Sequence, residues 1–341
     1  RPEEIVFGPN MTSLTFHLSR ALARRLSPGE AVVVTKLDHD ANIAPWLLLA
    51  EERGLEVLWV DFHPEDGTLD LEGYARALER KPKLVAFAYA SNALGTVHPA
   101  ARLTELAHAA GALVFIDAVH YAPHGPIDVR RIGCDFLACS AYKFFGPHLG
   151  ILYGRHELLE AWPAPKVRPS PAAPPGKWET GTQNFEAIAG LGGTLEYLEW
   201  VGTHFGAGFG PGLETTYQGR PLRLKQALAA IQAYERDLSL SLLKALKAVP
   251  GLRLYGLTDP ARLEERVPTF AFRHDALSPR RIAERLDEEG IYVWDGHYYA
   301  LEAARRFGLE DKGGMVRAGA VHYNTADDLD RFGKALARLG K

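Results

Sequence analysis

An α/β fold with a largely parallel sheet, followed by a smaller α+β portion, is the architecture the sequence predicts. Three patterns carry that expectation. Short apolar strand-like runs alternate with helix-length amphipathic segments through the first half, a long helical segment spans about Pro221–Ala248, and beyond it short strands gather around one helix. The strand candidates of the first half are Glu4–Phe7, Ala31–Thr35, Glu56–Val60, Leu84–Tyr89, Leu113–Asp117, Phe136–Ser140 and Gly150–Tyr153, with helix-length stretches at Ile43–Arg53, Leu71–Arg80 and Ala100–Ala110 between them. In the second half Leu252–Tyr255, Thr269–Phe272, Ile291–Trp294 and Val316–Ala320 read as strands, and the stretch from Ser278 to Gly290 reads as a helix. The expected division is a large domain over residues 1–225 and a small one over 226–341. In open sheets of this kind ligands collect at the carboxyl ends of the strands, so residues just after each strand are the first to inspect.

Two irregular stretches interrupt the pattern. Residues 163–176 hold Pro163, Pro165, Pro169, Pro171, Pro174 and Pro175, which excludes regular structure and predicts a surface loop. The glycines between Gly206 and Gly212 follow no clear strand and open no helix at the third glycine, so they are not a dinucleotide-binding fingerprint.

A hydrophobic fraction of 47%, a charged fraction of 24% and a net charge of −3 describe a soluble globular chain without a basic face for nucleic acid or anionic membrane, leaving small-molecule chemistry. Cys134 and Cys139 lie in an apolar stretch with no second Cys or His pair at metal-ligand spacing, and read as buried core thiols with no metal site. Low cysteine usage, with neither a signal peptide nor a membrane-spanning apolar run, predicts a cytoplasmic location. The chain enters its first strand within a few residues of Arg1, which predicts a preceding segment able to contribute substrate contacts.

The strongest local signal runs from Asp135 to Pro147. An apolar strand ends in Ser140, and Lys143 follows in a Gly/Pro turn between Tyr142 and Phe144. A lysine among aromatics is partly desolvated, which lowers its pKa and frees the neutral amine for imine formation. Alone, it reads as a surface lysine after a strand. Asp117, 26 residues upstream, ends another apolar strand where an acid could hold a pyridine nitrogen protonated; alone, it reads as a loop cap. Together they fit the chemistry of pyridoxal 5′-phosphate (PLP).

At this point the chain resembles the class V aminotransferases, and within them the cysteine desulfurase-like proteins, over nearly its whole length. Gly8-Pro-Asn-Met-Thr-Ser13 resembles the family's phosphate loop, which implies that the amides of Asn10, Met11, Thr12 and Ser13 and the Thr12 hydroxyl hold the PLP phosphate at a helix N-terminus. Asp38-His-Asp-Ala-Asn42 resembles Glu-His-His-Ala-Asn, implying that His39 stacks on the cofactor ring. Ser91-Asn-Ala-Leu-Gly95 resembles Ser-Asn-x-x-Gly, which puts Asn92 near O3′ and the substrate carboxylate, and Asp117-Ala-Val-His120 assigns Asp117 to the ring nitrogen and His120 to O3′. Ser140-Ala-Tyr-Lys143 resembles Ser-x-His-Lys, so Ser140 and Tyr142 fall to the phosphate and Lys143 to the Schiff base. Trp178-Glu-Thr-Gly-Thr182 resembles a motif whose threonine reaches the partner subunit's phosphate, implying a homodimer with Thr182 at the boundary. Val316-Arg-Ala-Gly…Tyr-Asn-Thr325 resembles the motif whose arginine, here Arg317, grips the substrate α-carboxylate by a planar two-point contact.

The resemblance implies the PLP-dependent transferase fold type I, a large mostly parallel sheet domain with a smaller C-terminal α+β domain. It breaks at Trp294-Asp-Gly-His-Tyr-Tyr-Ala300, which stands where the desulfurases carry Arg-x-Gly-His-His-Cys-Ala. Tyr299 holds the cysteine position and Trp294 the arginine position. A phenol does not accept sulfane sulfur as a thiolate does, so persulfide relay is not expected, and Tyr299 is read as a substrate-binding residue. The expected activity is aminotransfer or a related transformation at Cα of an amino acid. A C–S β-lyase or epimerase is the enzymatic alternative, and a catalytically silent PLP-fold scaffold is the alternative of another class.

Overall fold

Seven strands build the larger sheet: β1 (Ile5–Gly8), β2 (Ala31–Thr35), β3 (Glu56–Val60), β4 (Leu84–Ala88), β5 (Leu113–Asp117), β6 (Phe136–Ser140) and β7 (Gly150–Gly154). Their spatial order in the computed structural model, which describes residues 1–339, is β1-β7-β6-β5-β4-β2-β3. The last two residues of the expected small domain, 340 and 341, lie outside the described residues. The pairs β2–β3, β2–β4, β4–β5 and β5–β6 are parallel, whereas β7 runs antiparallel to both β6 and β1. Helices α1 (Met11–Ala23), α2 (Ala44–Arg53), α3 (Leu71–Glu79), α4 (Ala100–Ala109), α5 (Val129–Ile132) and α6 (His156–Ala161) connect these strands and follow them.

Alternate residues of each strand feed two separate layers. Val114 and Ile116 join Val33, Val85 and Phe87 in one cluster, while Phe115 joins Val32, Val34, Ala86 and Phe136 in the other. Cover on both faces explains why the strands are continuous apolar runs rather than alternating ones.

Helix α7 (Phe185–Phe205) lies along α8 (Gly219–Lys247), with Leu198 and Val201 packed near Ala227 and Ile231. Beyond α8 come β8 (Leu252–Tyr255), β9 (Thr269–His274), α9 (Pro279–Asp287), β10 (Trp294–Gly296), α10 (Leu301–Arg306), β11 (Met315–Gly319) and α11 (Ala326–Leu336). The four strands form an antiparallel sheet in the order β10-β11-β9-β8, and its core includes Leu242, Phe272, Ile282 and Phe332. The strand expected over Ile291–Trp294 begins only at its last residue. Gly290, at φ 66°, closes the turn after α9, Ile291 and Val293 pack on the small core, and pairing with β11 starts where Trp294 meets Arg317. The proline-rich stretch 163–176 carries turns and bends only. Among the described residues, no helix is long and apolar enough to cross a membrane, and no group of three or more His, Cys, Asp or Glu side chains could hold a metal.

Two glycines permit close approaches on which the site depends. Gly150 pairs with both Gly8 and Ser140, and a Cβ there would lie 2.5–2.7 Å from the backbone of Asn10, so the start of α1 reaches the sheet edge only over a bare backbone. Gly95, at φ 79°, brings the loop after β4 against the small sheet, where its carbonyl accepts from Val267 N at 2.8 Å. A Cβ on Gly95 would stand 2.4 Å from the Thr269 carbonyl oxygen. Gly95→Ala is therefore expected to destabilise the protein by about 1–3 kcal/mol, combining strain at positive φ with displaced backbone. Urea unfolding followed by circular dichroism checks this, and an unchanged midpoint would refute it.

Candidate active site

β2, β4, β5 and β6 run parallel, so their carboxyl ends share one edge of the sheet, and the expected residues follow those ends directly. Thr35 leads to His39, Ala88 to Asn92, Asp117 to His120 and Ser140 to Lys143. They meet in a cavity of about 270 Å³ whose lining includes Met11, Thr12, His39, Asn92, Asp117, His120, Ser140, Tyr142 and Lys143 from the large-sheet side. The small-sheet side contributes Trp294, Tyr298, Tyr299 and Arg317.

Asn10, Ser13 and Thr182 do not line this cavity. Ser13 and the exposed Thr182 line a neighbouring one beside His17 and Trp178. The cap at α1 explains Asn10 and Ser13: the Asn10 side chain accepts from Ser13 N at 2.9 Å, so both are turned to each other. The Met11 amide donates to Ser140 Oγ at 2.9 Å, which ties the start of α1 to the end of β6. Of the amides at this helix start, that of Thr12 has no acceptor among the described residues.

Asp117 is 5% exposed, and one of its oxygens accepts from Val119 N at 2.8 Å. Burial pushes its carboxyl up to about 7, with Lys143 pulling the other way. Lys143 keeps part of its side chain open to solvent, yet burial of the remainder and the nearby Arg317 hold its ammonium below the ordinary lysine value. Its Nζ lies 5.5 Å from the centre of the Tyr142 ring. His39 is pushed down to about 4 by burial and by the cations Lys143 and Arg317, so its ring is neutral near pH 7. It accepts from Ala41 N through Nδ1 at 3.0 Å and stacks on Tyr299 at 5.4 Å between ring centres. His120 meets Thr269 Oγ1 through Nε2 at 3.0 Å, and burial pushes its pKa down. Asn92 donates from Nδ2 to the Tyr298 carbonyl at 2.8 Å, while its Oδ1 is buried without a partner among the described residues. Arg317 donates to the Asn92 carbonyl at 2.8 Å and lies 4.9 Å from the centre of the Tyr298 ring.

One participant carried no assigned role in the motif reading. Asp38 is fully buried, accepting from Ala88 N at 2.7 Å, Thr35 Oγ1 at 3.1 Å and Asn42 Nδ2 at 2.9 Å, and thereby fixes the loop bearing His39 to the end of β4. A charged residue directly before His39, after an apolar strand, was the available signal. Tyr298, directly before Tyr299, is buried beneath Arg317. The cysteines are not in the cavity lining. Cys134 is buried, and Cys139, only half-buried where full burial was expected, alternates along β6 away from Ser140 and so from the cavity floor. Burial pushes both thiols up to about 12.

The donor set fits PLP. A buried carboxylate with one satisfied oxygen matches a pyridinium N–H, a lysine amine of lowered pKa matches an aldehyde, and the uncommitted Thr12 amide at the start of α1 matches a phosphate.

The family described as "Aminotransferase class-V" matches residues 1–205 and 222–332. A cysteine desulfurase of Synechococcus elongatus is 34% identical over 99% of this chain, and the chain spans 50% of that relative. One of Serratia proteamaculans is 33% identical, covering 99% of this chain and 78% of the relative. Among solved structures, the apo cysteine desulfurase of Thermococcus onnurineus superposes with a TM-score of 0.85 at 26% identity, covering 99% of this chain and 79% of that one. The cysteine desulfurase CsdA of Escherichia coli gives 0.82 at 26% identity over 98% of this chain and 78% of the other.

Asp117 yields a pH prediction. Its folded pKa of about 7 lies above the ordinary 3.8, so between these values the folded cofactor-free protein holds a proton that the unfolded chain releases. This contribution to stability is present below the lower value and is lost as pH rises through the window. Asp117→Asn removes the titration. The variant should gain on the parent from pH 4 to 7 by a few kcal/mol, at roughly 1.4 kcal/mol per pKa unit, and level off above. Unfolding curves of the cofactor-stripped proteins across that range check it, and parallel pH profiles would refute it.

Proposed function

The chain belongs to the class-V aminotransferase family, whose enzymes are PLP-dependent, and from that premise we propose that it breaks a bond at Cα of an amino acid, in aminotransfer or a related transformation. The observation that supports this reading is the convergence of Lys143, Asp117 and Arg317 on one cavity, with both cysteine thiols outside it. When bound, PLP supplies an electron sink conjugated to the substrate's Cα.

In this reading Asp117 pairs with the ring nitrogen and Lys143 is the covalent anchor, with the neutral His39 against the ring face. Thr12, Ser140 and Tyr142 hold the phosphate beside Met11, and Asn92 and His120 serve O3′. Arg317 forks onto the substrate carboxylate, assisted by Asn92, while Tyr299 borders the substrate. Freed from its anchoring role, the Lys143 amine would take the Cα proton, which its lowered pKa favours. Whether Lys143 would give that proton back to Cα decides between epimerisation and aminotransfer.

The relatives named cysteine desulfurase support a second reading, cleavage of a Cβ–S bond. With no thiol in the cavity, sulfur would leave cysteine directly as sulfide, with pyruvate and ammonia as the other products after hydrolysis. Product analysis with an amino-acid panel tests both readings. Keto acid formed from the donor with its amino group passed on and no free ammonia identifies aminotransfer, whereas pyruvate released from cysteine together with ammonia and sulfide identifies elimination. Alanine formed in step with a protein persulfide, blocked by thiol alkylation, would overturn the exclusion of a sulfur relay, and no spectral response to any amino acid would leave the scaffold alternative. In the same assay Lys143→Ala should bind PLP without the visible-edge absorbance of the lysine-linked cofactor and lose turnover by orders of magnitude. A borohydride-reducible adduct at unchanged stoichiometry would remove Lys143 from this role.

We also propose a homodimer with Thr182 reaching the partner's phosphate site. Thr182 is exposed and apart from its own chain's Lys143 cavity, and α7, which follows it, leaves Phe185, Trp200 and Phe205 at 67%, 49% and 58% exposure, large apolar side chains of the kind that interfaces cover. Light scattering of the purified protein should give twice the chain mass, and Trp200→Glu should shift it toward one. A monomer at micromolar concentration would refute the arrangement.

A further inference from the structure

Tyr298 and Tyr299 are consecutive residues at φ 53° and 59°, a left-handed conformation that costs side-chain-bearing residues roughly 1–3 kcal/mol each. Hydrogen bonds hold the turn from both sides. Asn92 Nδ2 donates to the Tyr298 carbonyl at 2.8 Å, Asp40 N donates to the Tyr299 carbonyl at 2.7 Å, and Tyr299 N donates to His297 Nδ1 at 3.1 Å. The strained backbone sends the two rings apart: that of Tyr298 is 5% exposed beneath Arg317, and that of Tyr299 is 63% exposed and stacked on His39. Trp294, 60% exposed, stands directly opposite Arg317 in the β10–β11 register, so both side chains leave the same face of the small sheet at about 5 Å between Cβ atoms.

We propose that Trp294 and Tyr299 set the substrate class of this site, admitting α-amino acids with an uncharged apolar or aromatic side chain and rejecting those with a second carboxylate. The inference rests on the amino-acid reading above. A carboxylate seated on Arg317 lies beside the Trp294 indole, and a cavity of about 270 Å³ that must also hold the cofactor directs the substrate's side chain to the mouth, where Trp294 and Tyr299 present open rings. Ring faces carry the negative end of the aromatic quadrupole and offer an anion no donor. Among the described residues the lining holds one lysine and one arginine, Lys143 and Arg317, both committed in this reading, so a side-chain carboxylate would be desolvated without a partner there. An apolar side chain loses nothing there and buries surface against the rings. A side-chain ammonium would find the ring faces attractive but would meet the field of the same two cations.

Titrating the PLP-loaded protein with leucine, phenylalanine, lysine, aspartate and glutamate, by calorimetry and by the cofactor's absorbance, tests this. Leucine and phenylalanine should give dissociation constants on the order of tenfold or more below those of aspartate and glutamate. Trp294→Arg should bring aspartate to parity or better with the cofactor's absorbance retained, and Tyr299→Arg provides the same test should the first variant fail to fold. Aspartate or glutamate bound as tightly as leucine by the parent protein, or an unchanged preference in a folded arginine variant, would overturn the proposed selectivity while leaving the amino-acid reading intact. A cofactor spectrum that no amino acid alters would overturn that reading, and this inference with it.

Discussion

A carboxylate buried at the end of a central strand sets the terms for the rest of this site. Asp117 cannot move without breaking β5, whose parallel pairing with β4 runs as far as Ala88 opposite Asp117 itself. Burial raises its pKa, and Asp38, packed under the end of β4, is another buried carboxyl whose own pKa is raised by burial and by the nearby Asp117. Two such groups ionise together only with donors or cations to compensate. Asp38 has Thr35, Asn42 and the Ala88 amide; Asp117 has the Val119 amide and a cavity. A pyridinium facing that cavity relieves the second carboxylate, and the relief is conditional on binding. In the proposed arrangement, the same buried charge that costs stability in the cofactor-free protein would become affinity and electronic activation in the loaded one.

The floor of the cavity belongs to the large sheet and its mouth to the small one, so the chemistry depends on how the two are joined. They share a core: Tyr255, Ala271, Tyr298, Ala300 and Met315 pack into the same cluster as Leu37, Phe62 and Leu94. Arg266, 6% exposed, donates to the carbonyls of Leu94, Leu257, Val267 and Thr269, with its guanidinium near the Phe270 ring. Arg317 and Asn92 then bond across the same boundary. An aromatic wall on one side thus faces Lys143 on the other through close-packed contacts rather than through a loose linker.

Much of this was legible in the sequence because the strands are buried on both faces. Val32–Val34, Val114–Ile116 and Phe136–Ala138 read as uninterrupted apolar runs, and the residues that follow them carry recognisable motifs at the same sheet edge. What stayed hidden depended on distant partners or on mixed patterns. Helix α7 contains Gly190, Gly192 and Gly193 and exposes Phe185, Trp200 and Phe205, so its apolar residues mark no single face. Thr325, read as the end of a motif, also caps α11 in a reciprocal pair with Asp328. No local pattern predicts that Asp40 bonds to Tyr299 or that Met11 bonds to Ser140, since each pair joins segments brought together only by the fold. Asn10 and Ser13, by contrast, are turned to each other by the local cap of α1.

Family membership describes how electron density leaves Cα, and the fate of that density is decided elsewhere. Lys143, Asp117 and Arg317 would serve an aminotransferase, an epimerase and a lyase equally, because each begins by loosening a bond to Cα in the field of the same ring. What separates them is the next group within reach: a thiol to take sulfur, a second acid, or neither. In this cavity the positions beside Arg317 hold an indole and a phenol, and the nearest thiols in the chain are raised by burial and placed outside it. Neither aromatic group is a sulfur acceptor, and the ring of Tyr299 is spent stacking on His39. Among the described residues no thiol lines the cavity, and the Lys143 amine does, which supports the proposed readings built on proton transfer over one that needs a protein thiol to accept sulfur.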